Sequence, residues 1–220
     1  RAGPGSTEPP MTEDLHVYHV YVAVAVEGES DTGMAQTLLR HVHLTLSRPC
    51  LVKRGVANLD KTIHGLSRTK IDNPWIVFRD SDGRCPVELR TALIGHQLHE
   101  GGFELRLACS MTEAWLLADS EGFADHFKIF VKKVPASPDE LPHAKRELLR
   151  LCGSSRSHHV RDGMVRIDGT PGPLYVSCLN EFARERWNVG RAQEHSPSLR
   201  RTVARLESMR RRLLTVRAGG

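Results

Sequence analysis

"IVFRDSDGRC", residues 76–85, is an apolar stretch that runs straight into Asp80, Ser81, Asp82 and Gly83. Ile76, Val77 and Phe78 are β-branched or aromatic, which suits a buried strand. The acids at its end leave two readings. One is a solvated turn in which Asp80 or Asp82 caps the next helix. The other is a metal site. Side chains at i and i+2 of an extended segment point the same way, so Asp80 and Asp82 are expected to converge. Bare carboxylates side by side repel, and one of them then holds its proton to higher pH. A divalent cation removes that repulsion, and oxygen ligands suit Mg²⁺ or Mn²⁺ rather than zinc.

Working outward, "HVYHVYVAVAVEGES" (16–30) predicts a buried strand and a turn. Residues 31–46 predict a helix with Asp31 as its cap, 50–56 a short strand and 58–68 a helix. Residues 74–80 form the second strong strand. The segment 86–100 reads as a helix with Pro86 at its start, 103–110 as a strand and 111–127 as a helix. The order βαβαβαβα predicts an α/β fold with a mostly parallel sheet flanked by helices. Past Phe127 the pattern changes to a Pro-rich loop (131–142), a short helix (143–152) and a loop (153–173). Two helices come after it at 174–187 and 196–214, the last with Ser196 as cap and Pro197 in the first turn. The expected organisation is a leader (1–15), an α/β core (16–130) and a loop plus C-terminal helical extension packed on the core (131–220).

Composition narrows the class. The chain has 220 residues, 40% hydrophobic, with a formal charge of +5 and a pI near 9.1. That permits a nucleic-acid partner. Residues 198–217 hold seven Arg against one Glu. Arg200, Arg201 and Arg210 are candidate phosphate contacts there, against the plainer reading of a solvated helix face. The five cysteines are scattered and never in C-x-x-C spacing, which argues for reduced thiols in a cytoplasm and against structural zinc. No apolar run reaches the ~20 residues of a membrane span. No P-loop is present. His41/His43 and His96/His99 have ligand-like spacing but no supporting Cys, and read as ordinary helix histidines. Trp115 reads as core.

Ligands of open α/β sheets bind beyond the carboxyl ends of the strands. Glu27 and Asp31 come after the first strong strand, Asp80 and Asp82 after the second, and Glu113 after the third. Each strand end therefore contributes acid to one rim. Arg79, just before the acids, either neutralises a phosphoryl group or pairs with Asp82 or Glu113.

"VEGESD", "VFRDSD" and "SMTEAWLLAD" in this order resemble the Toprim core, and most nearly a bacterial Toprim-like family of uncharacterised function related to the OLD-type nucleases. The similarity covers roughly residues 17–127. It implies a Rossmann-like Toprim fold. It also implies Glu27 as general acid/base or metal ligand, and Asp80 and Asp82 as ligands. Asp31 matches the second acid of the OLD-type first motif, and Ser110 with Glu113 roughly match a later serine–acid motif. Asp119 falls in the family pattern behind these ligands. Lys145 is the candidate for a downstream catalytic lysine, with Lys132 and Lys133 as rivals.

The resemblance implies a Mg²⁺- or Mn²⁺-dependent nuclease, with two ions, acting on DNA or RNA. A role as effector in anti-phage defence beside a separate ATPase subunit is the implied context, and a second copy of the chain is a further candidate partner. Tyr18 and Tyr21 lie in the first strand, so a topoisomerase nucleophile is not expected. The alternatives are a non-cutting Toprim-like scaffold that partners an ATPase and, more remotely, an α/β phosphohydrolase acting on nucleotides.

Overall fold

The computed structural model describes residues 19–68, 73–95 and 102–218. The first strand, β1 (Val20–Val26), is followed by a 3-10 turn (Glu29–Asp31) and α1 (Thr32–His41). Then come β2 (Leu44–Leu46), β3 (Leu51–Val52), α2 (Val56–Arg68), β4 (Trp75–Asp80), α3 (Pro86–Ile94) and β5 (Phe103–Ala108). The remaining helices are α4 (Thr112–Leu117), α5 (Ser120–His126), α6 (Ala144–Gly153), α7 (His158–Met164), α8 (Tyr175–Glu185), α9 (Val189–His195) and α10 (Pro197–Ala218).

Every strand pairing is parallel, in the order β2–β1–β4–β5. Ala25 pairs with Val77 on one side and Leu51 on the other, so β2 and β3 complete one flank of β1 in two pieces. Strand alternation sends β1 and β4 side chains to both faces. Ala25, Val77 and Leu105 pack against Leu59 and Ile63 of α2 and Leu89 and Leu93 of α3. Val22, Val24, Ile76 and Phe78 face the other way, into a larger cluster that takes in α1, α4, α6, α8 and α10 as far as Met209. Trp115 lies at its centre, fully buried, edge-on to Phe78 with ring centroids 6.2 Å apart. The expected α/β sheet flanked by helices is what forms. Among the described residues no helix is long and apolar enough to cross a membrane.

Several boundaries differ from the sequence reading. The helix expected over 31–46 stops at His41, because His43 takes a positive φ of 56° and the chain turns into β2. The strand expected over 50–56 is only Leu51–Val52, and α2 starts earlier than expected, at Val56. The helix expected over 111–127 breaks at Asp119, whose side chain accepts from Gly122 N–H and caps α5. Asp119 is 1% exposed and pairs with Arg191 at 2.8 Å, so its charge is met within the helical layer. The loop expected over 153–173 contains α7, capped by Ser157, and α9 is an additional turn capped by Asn188. Ser196 caps α10 as expected, accepting from Leu199 N–H at 3.2 Å. The leader through residue 18 and the His96/His99 pair lie outside the described residues.

Candidate functional site

The carboxyl ends of β1, β4 and β5 lie side by side, and the loops that leave them are tightly tied. Ser81 Oγ accepts from Ser110 N–H at 2.8 Å, and Asp82 N–H donates to Ser110 O at 3.0 Å. Asp82 and Ser110 both sit at positive φ, 49° and 64°. Two non-glycine residues in that conformation, bonded to each other at the sheet rim, are local strain held by the surrounding fold.

Asp31 stands at the first turn of α1 but does not spend its side chain on that helix. Its carboxylate accepts from Gly28 N–H at 2.9 Å and from Thr112 Oγ1 at 2.8 Å. Thr112 also donates its N–H to Asp80 at 2.9 Å. One residue at the start of α4 thus clamps two acids that come from different strands. The next residue, Glu113, is buried and accepts from Tyr175 OH at 2.7 Å. Lys145 Nζ lies 5.1 Å from the centre of the Tyr175 ring, a cation–π contact beside the acids. The turn that carries Asp31 is fixed from behind by Asn180, which accepts from Gly33 N–H at 2.6 Å and donates to Glu29 O at 2.9 Å.

Electrostatics show how closely the acids stand. Burial, then the neighbouring Glu113, push Asp31 up to about 6. Burial, then the charges of Glu113 and Asp31, push Asp80 well above the usual carboxylate range. Glu27 is also raised, by burial and then by Asp82. Its Oε2 is buried with no hydrogen-bond partner. None of Glu27, Asp31, Asp80 or Glu113 makes an ion pair among the described residues.

Asp82 departs from the expected convergence. Its positive φ breaks the extended run on which the i, i+2 argument rests, and its carboxylate turns to Arg79 at 2.6 Å. Arg79 is 4% exposed and also pairs with Asp60 at 3.0 Å and bonds the carbonyl of Asp80. It serves as an internal counter-ion here. The rim therefore divides. Asp31, Asp80 and Glu113 form one group without a counter-ion among the described residues. Asp82 and Asp60 form a second, already neutralised by Arg79. Glu27 feels members of both.

Among the described residues no three His, Cys, Asp or Glu side chains stand ready at metal-ligand spacing. Thr112 and Tyr175, both neutral donors, hold three of the acids in place. The donor set still fits a hard cation. It is all oxygen, net negative, and includes one buried oxygen with no partner.

Other candidates scatter. Lys132 and Lys133 are exposed on the 3-10 turn Val131–Lys133. Arg201 lies beside Cys109 at the end of β5, near the rim, whereas Arg210 Nε donates to His43 O at 3.2 Å at the opposite end of the sheet. Arg200 is exposed. The sequence reading missed Thr112, Tyr175, Asn180 and Asp60. Only Thr112, inside the S-M-T-E segment, lay close enough to a motif to be found.

No family model matches the chain, and no curated protein matches it. Three solved structures of the C-terminal region of the OLD protein of Xanthomonas campestris pv. campestris are similar to it. They are 17%, 12% and 16% identical, covering 81%, 85% and 80% of this chain and 98%, 97% and 96% of theirs, with TM-scores of 0.31, 0.33 and 0.30.

Proposed function

We propose that the chain is a Mg²⁺- or Mn²⁺-dependent nuclease that hydrolyses phosphodiester bonds of DNA or RNA. The observation that carries this reading is the group of Glu27, Asp31, Asp80 and Glu113, gathered at the strand ends with no cationic side chain paired to them among the described residues. Holding such acids together costs stability in a metal-free chain, and a hard cation offsets that cost. The ordered Toprim-like motifs support the same reading.

Bound there, a divalent ion would lower the pKa of a water and neutralise a phosphoryl oxygen. The chain's own residues supply the rest. Thr112 fixes Asp31 and Asp80, and Tyr175 fixes Glu113. Glu27, with its raised affinity for protons, is suited to take a proton from the attacking water. Lys145, whose Nζ is 5.1 Å from the Tyr175 ring centre, is the group assigned to meet the charge that develops on the substrate. A second ion, which the motif resemblance implies, would have to share Asp82 with Arg79. The free cysteines suit a reducing cytoplasm. Work beside an ATPase in anti-phage defence is the context the motifs suggest.

The test is incubation of plasmid, single-stranded DNA and tRNA with Mg²⁺ or Mn²⁺. Cleavage is expected for the wild type and lost in Asp80→Ala and in EDTA; cleavage that survives Asp80→Ala overturns the mechanism. The internal donors on Asp31, Asp80 and Glu113 favour one other reading, a non-cutting scaffold that partners an ATPase. Calorimetry separates the two: a chain that takes up no Mn²⁺ is the scaffold.

A further inference from the structure

The acidic rim repels a polyanion on approach, so a nuclease site of this kind needs positive charge on its flanks. One flank carries a built feature. Beside the carboxyl end of β1 lies an open cavity of about 320 Å³, lined by Val52, Lys53, Asn58, Lys61 and Thr62. The parallel register puts it next to Glu27: Val52 pairs with Val26, Lys53 N–H donates to Val26 O at 3.0 Å, and Gly55 N–H donates to Glu27 O at 3.4 Å. The β3–α2 connection turns sharply there through Arg54 and Gly55, both at positive φ. Asn58, Lys61 and Thr62, at i, i+3 and i+4 of α2, bring one side of that helix along the same space. Lys53 and Lys61 make no ion pair among the described residues. Asp60, which precedes Lys61 in α2, is already paired with Arg79. Asn58 gives one amide hydrogen to Lys53 O at 3.2 Å, and Thr62 Oγ1 donates to Asn58 O at 3.0 Å. These bonds fix the wall of the cavity without using its two ammonium groups.

We propose that this cavity is a phosphate subsite for a nucleic-acid strand, in which Lys53 and Lys61 bind a backbone phosphate next to the one presented to the acids. The proposal rests on the nuclease reading for its role, but not for its test. Binding of a short single-stranded oligonucleotide is measured by fluorescence anisotropy in EDTA across a salt series, for the wild type, Lys53→Ala, Lys61→Ala, the double variant and Lys128→Ala. Each phosphate contact contributes about 0.7 to the slope of log K against log salt for a single strand. The double variant removes that one phosphate contact and is expected to lower the slope by about 0.7, with each single variant lowering it by less and Lys128→Ala unchanged. A wild-type slope in the double variant overturns the proposal, and so does an equal loss in Lys128→Ala, which would mark general surface attraction. Free phosphate that competes with the strand only through its ionic strength leaves strand binding as the source; competition beyond that, with no oligonucleotide slope change in the double variant, reassigns the cavity to small phosphates and overturns the strand proposal. Cleavage in Mn²⁺ is scored separately. A slope change without cleavage sinks the nuclease reading and leaves the subsite. Cleavage with an unchanged slope does the reverse.

Discussion

Asp80 carries a stability cost that removing its charge should expose. Asp80→Asn keeps an oxygen for Thr112 N–H and deletes the buried charge that Glu113 and Asp31 oppose. Its metal-free thermal midpoint is therefore expected to rise at neutral pH while Mn²⁺-dependent cleavage disappears, a trade of stability for function. Calorimetric scans in EDTA check the first part. Asp31 gives the pH dependence. Its folded value of about 6 lies above the ordinary 3.8, so the folded chain holds that proton longer than the unfolded one. Stability from this group is full below about 3.8 and lost as the pH rises through about 6. The midpoint of Asp31→Asn should gain on wild type across that window; a constant difference would mean that the acid does not feel its neighbours. Tyr175→Phe should leave the ring under Lys145 and free Glu113. Mn²⁺ affinity by calorimetry is expected to fall about 10- to 100-fold, as for other groups that orient a ligand, with the midpoint in EDTA lowered because the buried Glu113 loses this donor. The acids themselves were legible in the sequence because each comes just after a strong strand. Their holders were not, since Tyr175 and Asn180 reach the rim from α8, and no local pattern announces a partner that distant in the chain.

Among the elements, the α1–α8 contact decides how the acidic turn is held. Gly33 lies against α8 so closely that an added Cβ would meet Asn180 Oδ1 at 2.7 Å and the Asn180 backbone at 2.8 Å. Gly33→Ala is expected to cost about 1–3 kcal/mol by denaturant unfolding, the usual scale for an overpacked contact. It should also lower cleavage, because the displaced Asn180 carries the Glu29–Asp31 turn. The strong strands and long amphipathic helices were readable, because burial on one or both faces leaves a clear period in the sequence. The short elements were not. In β2, Leu44–Leu46 continues the apolar run of α1, and only the turn at His43 separates them. In α7, histidine, arginine and glycine mask a helix that exists because Val160 and Met164 are buried against its neighbours. The break at Asp119 is a third case, since a cap inside an unbroken apolar pattern is visible only through the N–H groups it meets.

For the molecule as a whole, α10 is a strut. Near its start Ser198 Oγ accepts from Trp115 Nε1 at 2.7 Å, and Asp139 accepts from Ser196 Oγ and Ser198 N–H at 2.7 and 2.8 Å. Further on, Arg210 reaches the far end of the sheet at His43. The Arg-rich run read as one basic surface is thus spread along the length of the domain. Arg201→Ala is expected to weaken oligonucleotide binding and lower its salt slope by about 0.7, while Arg210→Ala leaves the slope unchanged. An equal effect of both would mean that the strand runs along α10 and not across the rim. The raised proton affinity of the acids at the strand ends reaches beyond folding. A hard cation binds carboxylates only after their protons leave, and burial with the neighbouring Glu113 raises the proton affinity of both Asp31 and Asp80. If the rim takes up Mn²⁺ as proposed, loading it is expected to release hydrogen ions to the buffer. The heat of Mn²⁺ uptake near pH 6 should accordingly change sign or size between buffers of low and high ionisation enthalpy, and the slope of that plot counts the protons released.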